Sequence, residues 1–466
     1  MDNVDDDVRS TKYFAGQPTS AADRHLQHRQ ARCGQQVSVL PRMQALPASP
    51  PRPPAGYAFS AGARAYHAGA ATRAQAASTF GQRMPPRHSN RPRERRVASS
   101  ACSSSSASSA PRVMYAVSGA GAHDLELHPE CAARIPAIER ALEGAGLTAS
   151  AERLETWAAA GDEDVTLVHD ARYLAALEKK CAALGEGALE TLEPGGPTYA
   201  GRDTAQLARR AAGAGMALVD AVEKADRAGV TPPVGFSICR PPGHHAVPAG
   251  PMGFCVLSNV AVAARHAQRL GYQRVLIYDY DVHHGNGTQD AFFTDPDVFF
   301  CSTHQSGSYP GTGAYGEVGE GSGEGTTLNL PLPGGAGDTA ARLAFDTVVA
   351  PAVQRFKPDI IMVSAGYDAH WRDKLAGLQF QTSTYHALGG RLKELADELC
   401  GGRLVFFLEG GYDLEALGAS VADTWRGVLG LESEDRFAAS QELYLYDEPI
   451  ERCQEAITKA VAIHSL

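Results

Sequence analysis

Asp281 and His283 lie two residues apart in the run Tyr-Asp-Tyr-Asp-Val-His-His-Gly, which begins at residue 278. At the end of a strand this spacing places both side chains on the same side of the chain, because strand side chains alternate with a period of two. A carboxylate beside an imidazole suits a divalent metal such as zinc. A salt-bridged His and Asp is the commoner arrangement, so a metal site needs a third ligand.

Asp368 is the candidate for that third ligand. It follows the apolar run 360–364 through a turn at Gly366, where a carboxylate would otherwise lie unpaired. The alternative is that Asp368 caps a helix at a strand-to-helix turn, which is a common role for aspartate. Two aspartates and one histidine would leave a fourth position open for water, as in catalytic rather than structural zinc sites.

The adjacent residues His244 and His245 end the run Arg-Pro-Pro-Gly-His-His (240–245). A single histidine would more commonly be structural, but two together beside a metal site indicate general acid and base chemistry, since imidazole titrates near neutral pH. We expect Asp279 to hold one imidazole and Asn286 the other. Because asparagine carries no charge, its histidine should be the less basic of the two.

Tyr412 lies in the run Glu-Gly-Gly-Tyr-Asp (409–413). The two glycines allow a tight backbone turn that frees the phenol to face a cleft. A tyrosine after a glycine pair usually has only a packing role. Beside a metal site, its hydroxyl can instead donate a hydrogen bond to a developing oxyanion.

The chain from Val113 onward alternates short β-branched or aromatic runs with Ala-rich helical stretches, a pattern that predicts a parallel sheet flanked by helices. The candidate strands are 235–239, 274–278, 298–302, 327–330, 360–364 and 404–408. The candidate helices are 204–224, 258–270, 339–356 and 384–400. No internal repeat is visible, so one large α/β domain over 113–466 is the simplest prediction.

Ligands of such sheets bind outside the carboxyl ends of the strands. Every polar cluster of note follows a predicted strand, and these clusters are 240–245, 279–287, 302–305, 365–368 and 409–413. Strand ends that meet at one edge of a sheet indicate a single site more strongly than any one motif does.

The composition is that of a globular protein, with 44% hydrophobic and 21% charged residues. No run of 18 apolar residues occurs, which excludes a membrane-spanning helix. The nine cysteines are odd in number and form no Cys-x-x-Cys pair. We therefore interpret them as reduced thiols rather than a disulfide framework or a cysteine-rich zinc site.

The net charge of −10 hides a division of the chain into a basic and an acidic part. Residues 8–112 contain 15 Arg and one Lys against Asp23 and Glu94, whereas 113–466 carry a net charge of −20. The basic part is rich in Pro, Ala and Ser and has too little apolar surface to order itself. We therefore predict a disordered leader over 1–112 and a catalytic domain over 113–466.

An Arg-rich, Ser-rich and acid-poor leader is typical of a mitochondrial or chloroplast transit peptide, with cleavage expected near 99–110. Four aspartates within residues 2–7 fit this function poorly, and a start at Met43 would remove them. The alternatives are a solvated basic tail that contacts nucleic acid and a nuclear import signal at 91–96.

Six ordered motifs resemble those of the zinc-dependent histone deacetylases, over about residues 128–429. The motifs are Arg-Pro-Pro-Gly-His-His (240–245), Gly-Phe-Cys (253–255), Tyr-Asp-Tyr-Asp-Val-His-His-Gly-Asn-Gly-Thr-Gln (278–289), Tyr-Pro-Gly-Thr-Gly (309–313), Ser-Ala-Gly-Tyr-Asp (364–368) and Leu-Glu-Gly-Gly-Tyr-Asp (408–413). Asn286 stands where the class II branch has asparagine, and the segment 304–337 is similar to plant and algal organellar members. The resemblance implies the arginase/deacetylase α/β fold, with an eight-stranded parallel sheet between helices on both faces.

The resemblance also implies roles for individual residues. The matched positions are Asp281, His283 and Asp368 for one catalytic zinc; His244, His245, Tyr412, Asp279 and Asn286 for catalysis; Asp279, Asp281, His283, Ser302 and Thr303 for a structural potassium ion; Gly253 and Phe254 for the acyl tunnel; and Arg134 for an acetate exit channel. The opposite tunnel wall is commonly Phe in the family and is Tyr309 here. This change either admits a more polar acyl group or adds a hydroxyl at the tunnel mouth.

The reaction implied is hydrolysis of an amide-linked acetyl group, with acetylated proteins or small acetylated amines as substrates. Polyamine deacetylases of this fold have an acidic residue at the tunnel rim, where this chain has Leu375, so a cationic amine is not the favoured substrate. Manganese ureohydrolases share the fold but need further Asp and His ligands that this sequence lacks. A non-catalytic binding module would lack Tyr412 or a metal ligand. We expect no direct nucleic-acid binding by the catalytic domain and no membrane association, and the oligomeric state stays open.

Overall fold

The computed structural model describes residues 112–193 and 196–466. The leader predicted over 1–112 lies outside the described residues, apart from Arg112 at its end. Within the described residues, no helix is long and apolar enough to cross a membrane. The seven cysteines found there are all free, as predicted for reduced thiols.

The described part of the chain contains an eight-stranded sheet in the order β2-β1-β5-β10-β9-β6-β7-β8, and a separate two-stranded hairpin, β3-β4. All neighbouring strands of the large sheet run parallel, which confirms the predicted fold class. The strands are β1 Val113–Ser118, β2 Glu152–Leu154, β3 Glu190–Thr191, β4 Tyr199–Ala200, β5 Val234–Cys239, β6 Val275–Asp279, β7 Val298–Gln305, β8 Thr327–Leu332, β9 Ile360–Ala365 and β10 Leu404–Leu408.

Two details of the sheet differ from the prediction. Residues 302–305 were expected to follow a strand but form the end of β7, because the adjacent β8 pairs with them as far as Gln305 and Leu332. The strands β1 and β2 were not among the candidates. β2 has only three residues, which are exposed or half-buried, so it lacks the apolar run that marks a buried strand.

Helices cover the connections between the strands. They are α1 Arg134–Gly144, α2 Asp162–Val165, α3 Ala171–Ala183, α4 Thr204–Arg227, α5 Asn259–Arg269, α6 Asn286–Phe292, α7 Asp338–Ala344, α8 Ala350–Phe356, α9 Thr382–Cys400, α10 Leu414–Leu429, α11 Ala438–Tyr444 and α12 Ile450–His464. The predicted helix 339–356 is interrupted by a π-helical turn, Phe345–Val349, between α7 and α8. Pro351 explains the interruption, since its missing N–H removes one regular hydrogen bond of the helix.

Apolar side chains pack on both faces of the sheet. In β6, Leu276 and Tyr278 belong to one buried cluster, whereas Val275 and Ile277 belong to the other. This division follows the alternation of strand side chains. Because both faces are covered, the strands are hydrophobic almost throughout, and the polar residues are confined to the segments that follow the strands.

Candidate active site

The predicted site residues come together at the carboxyl ends of the central strands. β5, β6, β9 and β10 are neighbours or near neighbours in the sheet, and each is followed by one of the polar motifs. Because these parallel strands end at the same edge, the four motifs lie side by side there, and this is the edge at which α/β sheets bind ligands. What they can do depends on the distances between their side chains.

Asp281, His283 and Asp368 each present one potential ligand atom, and these atoms lie within 4.8 Å of one another. His283 Nδ1 lies 3.2 Å from Asp281 Oδ1 and 3.2 Å from Asp368 Oδ2. All three side chains are buried. The helix-capping alternative for Asp368 is wrong, because Asp368 Oδ1 accepts a hydrogen bond from the Val282 N–H and α9 begins only at residue 382.

The charge balance of this group favours a bound cation. Burial opposes ionisation of Asp281, but the neighbouring His244 and His283 lower its pKa. For Asp368, burial and the charge of Asp281 raise the pKa. Asp368 Oδ2 is buried and makes no hydrogen bond, because the one hydrogen that His283 Nδ1 can carry is directed to Asp281 Oδ1 while Asp368 Oδ2 lies 3.2 Å from the same nitrogen. A buried carboxylate oxygen in this state is costly unless a cation compensates.

Two glycines leave room for the carboxylates. A Cβ at Gly366 would lie 2.0 Å from Asp281 Oδ2, and a Cβ at Gly410 would lie 2.1 Å from Asp368 Oδ2. The Gly410 N–H also donates to Asp281 Oδ2 at 2.8 Å. Buried carboxylates and one imidazole, held close together with an unmatched oxygen, form a donor set that fits zinc.

The two histidines have the partners predicted for them. His244 Nδ1 lies 3.0 Å from Asp279 Oδ2, and His245 Nδ1 lies 2.8 Å from Asn286 Oδ1. Burial disfavours the charged form of His244, but the carboxylates of Asp281 and Asp279 raise its pKa to about 10. Burial and the charge of His244 lower the pKa of His245 well below its usual value. The expectation that the asparagine-paired histidine is the less basic one is therefore confirmed.

Glu409 supports the histidine pair and received no individual role in the sequence analysis. Its Oε2 accepts hydrogen bonds from the N–H groups of Gly243 at 2.7 Å and His244 at 3.0 Å. Its Oε1 accepts from the Ser364 hydroxyl at 3.3 Å. Burial raises the pKa of Glu409 to about 7. The presence of an acid in place of an apolar residue at the end of β10 was the only signal for this role.

Tyr412 lies in the turn that follows β10. Its ring is 5.7 Å from the Phe254 ring, edge to face, and the Arg134 guanidinium lies 5.1 Å from its centroid. Its backbone N–H donates to Asp373 Oδ2 at 2.6 Å. Burial, together with the charge of Asp368, raises the pKa of the phenol well above its usual value, so the hydroxyl keeps its proton and can donate a hydrogen bond.

The tunnel residues lie beside the histidines. Gly253 has a φ of +54°, and a Cβ there would lie 2.5 Å from His245 Cδ2 and 2.9 Å from Tyr309 Cε1. Phe254 also has a positive φ of 70°, which is unusual for a bulky residue, and its N–H donates to Thr198 Oγ1 at 2.9 Å. The Tyr309 ring meets the His245 ring edge to face at 5.1 Å.

The two residues predicted for the outer part of the tunnel are both accessible to solvent. Tyr309 is 40% exposed and Leu375 is 41% exposed.

Arg134 is fully buried and belongs to an ion network that the sequence did not reveal. Its Nε donates to the Gly411 carbonyl at 2.7 Å, and its Nη1 pairs with Glu130 at 3.1 Å. Glu130 also pairs with Arg240, which begins the motif that carries the histidines. Arg134 thus connects the Tyr412 turn with the start of that motif.

The residues matched to a potassium site lie at the ends of β6 and β7, where Asp279 and Ser302 are paired in register. Ser302 Oγ lies 2.9 Å from His304 Nδ1, and Thr303 Oγ1 lies 3.0 Å from the Tyr278 hydroxyl. The side-chain donors here are mainly oxygens, which hard cations prefer.

The described domain is similar in sequence to a known family and to named plant proteins. A family model described as histone deacetylase domain matches residues 128–428. The chain is 56% identical over 363 residues to "Histone deacetylase 14, chloroplastic" of Arabidopsis thaliana, covering 76% of this chain and 85% of that protein. It is 56% identical over 362 residues to "Histone deacetylase 10, chloroplastic" of Oryza sativa subsp. japonica, covering 76% and 81%.

A solved structure supports the same relationship. The crystal structure of the "HDA15 HD domain" matches with a TM-score of 0.66 and 31% identity, covering 76% of this chain and 94% of that chain. The sequence match and the fold match therefore agree.

Proposed function

The chain belongs to the histone deacetylase family, and on this basis we propose that it is a zinc-dependent hydrolase that removes acetyl groups from N6-acetyl-lysine in proteins. Acetate and the free amine are the products. The observation that carries the proposal is the meeting of Asp281, His283 and Asp368 beside two histidines, with Asp368 Oδ2 lacking a hydrogen bond.

Asp281, His283 and Asp368 would hold one Zn²⁺. When bound, zinc polarises the amide carbonyl and lowers the pKa of a bound water toward neutrality. The remaining chemistry belongs to the side chains around it, and each has a geometry suited to its step.

His245 takes the proton of the attacking water. Its Nδ1 faces Asn286, which leaves Nε2 as the basic nitrogen, and its lowered pKa keeps the ring neutral and able to accept a proton. A protonated histidine then donates to the leaving amine, and the carboxylate of Asp279, 3.0 Å from His244 Nδ1, favours the charged form of that ring. Tyr412 donates a hydrogen bond to the oxyanion that develops on the carbonyl oxygen.

The acyl-lysine side chain would pass between Phe254 and Tyr309. Gly253 keeps this passage open, because any side chain there would collide with His245 and Tyr309. The exposed Leu375 at the mouth offers an apolar contact and no charge to attract a polyamine. A lysine side chain attached to a protein therefore suits the mouth better than a polycationic substrate does.

A second ion is part of the proposal. Asp279, Asp281, His283, Ser302 and Thr303 would surround a structural potassium ion, with the support of the family resemblance and of the oxygen donors at this position. Such an ion would stabilise the ends of β6 and β7 and takes no part in the proposed proton transfers.

We propose that residues 1–112 direct the protein to the chloroplast and that 113–466 form the catalytic domain. The basic, acid-poor composition of the leader supports import into an organelle. Two relatives with 56% identity that are named chloroplastic favour the chloroplast over the mitochondrion and the nucleus. Acetylated proteins of that compartment are then the expected substrates.

A substrate panel tests the proposed reaction. The purified protein is assayed with acetyl-lysine peptides, with longer acyl-lysine peptides, and with small N-acetyl arylalkylamides and polyamines. We expect the highest kcat/KM with acetyl-lysine peptides, loss of activity after chelation, and recovery with zinc. A clear preference for a small amide would contradict the protein substrate, and failure to hydrolyse any amide with zinc present would contradict the enzyme.

A further inference from the structure

Asp373 occupies an unusual place between the proposed metal site and the tunnel mouth. It lies five residues after Asp368 and two before Leu375, and it is only 8% exposed. Its Oδ2 accepts hydrogen bonds from the N–H groups of Tyr412 at 2.6 Å and Asp413 at 3.1 Å. Its Oδ1 accepts from the N–H of Leu375 at 3.1 Å. One buried carboxylate therefore binds the main chain of two loops.

The Tyr412 turn needs such an anchor because of its own sequence. Gly410 and Gly411 precede the tyrosine, and Gly411 has a φ of +115° that other residues rarely adopt. Glycines allow this turn but do not fix it, since their backbone has the greatest freedom. The position of the phenol therefore depends on the groups that bind the turn from outside. Asp281 binds the Gly410 N–H and Arg134 the Gly411 carbonyl, whereas Asp373 binds the N–H of Tyr412 itself.

We propose that Asp373 is a positioning residue, which holds the Tyr412 hydroxyl where the oxyanion forms. This inference rests on the proposed function, because it assigns Asp373 a role through Tyr412. The carboxylate itself faces backbone N–H groups on both oxygens and takes no part in proton transfer.

The neighbouring residue Arg372 provides a matched control. Its guanidinium also connects the two loops, with Nη2 3.5 Å from Asp413 Oδ2 and 3.3 Å from Glu415 Oε2. These ion pairs are partly exposed and do not contact the Tyr412 N–H, so Arg372→Gln weakens the link between the loops and leaves the anchor of Tyr412 in place. Partly exposed ion pairs of this kind contribute little to stability.

The test is a double-mutant cycle between Asp373→Asn and Tyr412→Phe on acetyl-lysine peptides. The asparagine keeps one oxygen and turns an NH₂ group toward backbone donors, so the turn should shift. A displacement of a catalytic group by a fraction of an ångström lowers kcat by about tenfold or more. We expect this loss for Asp373→Asn, with unchanged zinc content and a KM within about twofold. Arg372→Gln should keep wild-type kcat.

The background of the cycle separates positioning from a general structural effect. In the Tyr412→Phe protein the hydroxyl is already absent, so Asp373→Asn should lower kcat by less than about twofold further. An equal loss in both backgrounds would overturn the inference, as would wild-type kcat for Asp373→Asn or loss of zinc from it. If Asp373→Asn does not fold, Asp373→Ser, which keeps a short acceptor, is taken through the same cycle.

The inference and the proposed function fail in different ways. Full activity of Tyr412→Phe alone would contradict the oxyanion role and thus the proposed mechanism. A strong effect of Tyr412→Phe with no effect of Asp373→Asn would contradict only the positioning role.

Discussion

Two groups of buried side chains at this edge of the sheet look alike by residue type. Each brings three potential ligand atoms within 4.8 Å of one another: Asp281, His283 and Asp368 form the first cluster, and His244, Cys255 and Glu409 form the second. Both contain a histidine and an acid, and a search by composition alone would rate them equally. Their hydrogen bonds distinguish them.

The second cluster is satisfied by the protein itself. Glu409 accepts hydrogen bonds on both oxygens, and His244 Nδ1 is paired with Asp279. The sulfur of Cys255 lies 3.4 Å from the His245 N–H and 3.5 Å from the Gly253 carbonyl oxygen. These contacts describe a framework that orients the histidine pair.

The first cluster is not satisfied in this way, since Asp368 Oδ2 is buried without a hydrogen bond and the nearby His283 Nδ1 is already bonded to Asp281 Oδ1. Buried polar atoms in folded proteins almost always have a partner. An unmatched buried acceptor, rather than the residue types, therefore distinguishes the proposed metal site from the second cluster. The following predictions test this distinction.

The largest catalytic effect is expected for loss of the Tyr412 hydroxyl, which is proposed to act in the chemistry but not in metal binding. Tyr412→Phe leaves the first cluster intact, so zinc should remain bound, while kcat should fall by about 10² to 10³, as on loss of other oxyanion donors. Steady-state kinetics with metal analysis of the same sample checks this. Near wild-type kcat on acetyl-lysine peptides would mean that the hydroxyl is not the oxyanion donor.

The framework role of Glu409 predicts a loss of stability without a loss of zinc. Glu409→Ala leaves two backbone N–H groups without an acceptor, and we expect the free energy of unfolding to fall by about 1–3 kcal/mol for each. Glu409→Gln keeps one acceptor oxygen and should lose less. Denaturant unfolding with metal analysis measures both, and zinc loss in the glutamine variant would make Glu409 a ligand.

The same residue predicts a dependence on pH. Burial raises the pKa of Glu409 from about 4.5 to about 7, so the folded state binds this proton more tightly than the unfolded state does. The stabilising contribution is complete below pH 4.5 and is lost as the pH rises through about 7. Relative to Glu409→Gln, the wild type should become less stable over this range, and a constant difference between the two proteins would contradict the raised pKa.

A smaller effect is expected for the sulfur of the second cluster. Cys255→Ser keeps a group that can accept from the His245 N–H and donate to the Gly253 carbonyl. The free energy of unfolding should change by about 1 kcal/mol, and zinc should remain. Loss of zinc in metal analysis of this variant would assign metal binding to the second cluster.

The smallest effect is expected from removal of the leader, which is predicted to contribute no residue to either cluster. A chain that begins at Arg112 lacks the basic leader, whose Arg- and Pro-rich composition offers little apolar surface for packing. We expect an unchanged kcat/KM and zinc content. Aggregation or loss of zinc in the shortened protein would instead show that the leader belongs to the domain.

Much of this site could be predicted from the sequence because its residues directly follow strands that the hydrophobic pattern predicts. Strands and polar motifs alternate along the chain, so the edge of the sheet at which the site forms followed from the parallel topology. The sequence also led us to expect that Asp279 holds one imidazole and Asn286 the other, and that the asparagine-paired ring is the less basic because asparagine carries no charge. Which histidine takes which partner became clear only from the fold.

The residues that the sequence did not reveal act through distant backbone. Asp373 binds the N–H of Tyr412, and Glu409 binds the N–H groups of Gly243 and His244. Glu130 pairs with Arg240 from a segment more than a hundred residues earlier. Backbone donors carry no signal in the amino-acid sequence, so an acid that serves them cannot be distinguished from any other acid until the fold is known.

The most direct test of the account is the zinc content of two paired variants after incubation with zinc and removal of the excess. Asp281→Ala combined with Asp368→Ala removes both carboxylates of the first cluster, whereas Glu409→Gln combined with Cys255→Ser alters two members of the second. We expect about one zinc per chain in the wild type and in the variant of the second cluster, and none in the variant that lacks Asp281 and Asp368. Stoichiometric, tightly bound zinc in the chain without Asp281 and Asp368 would contradict it.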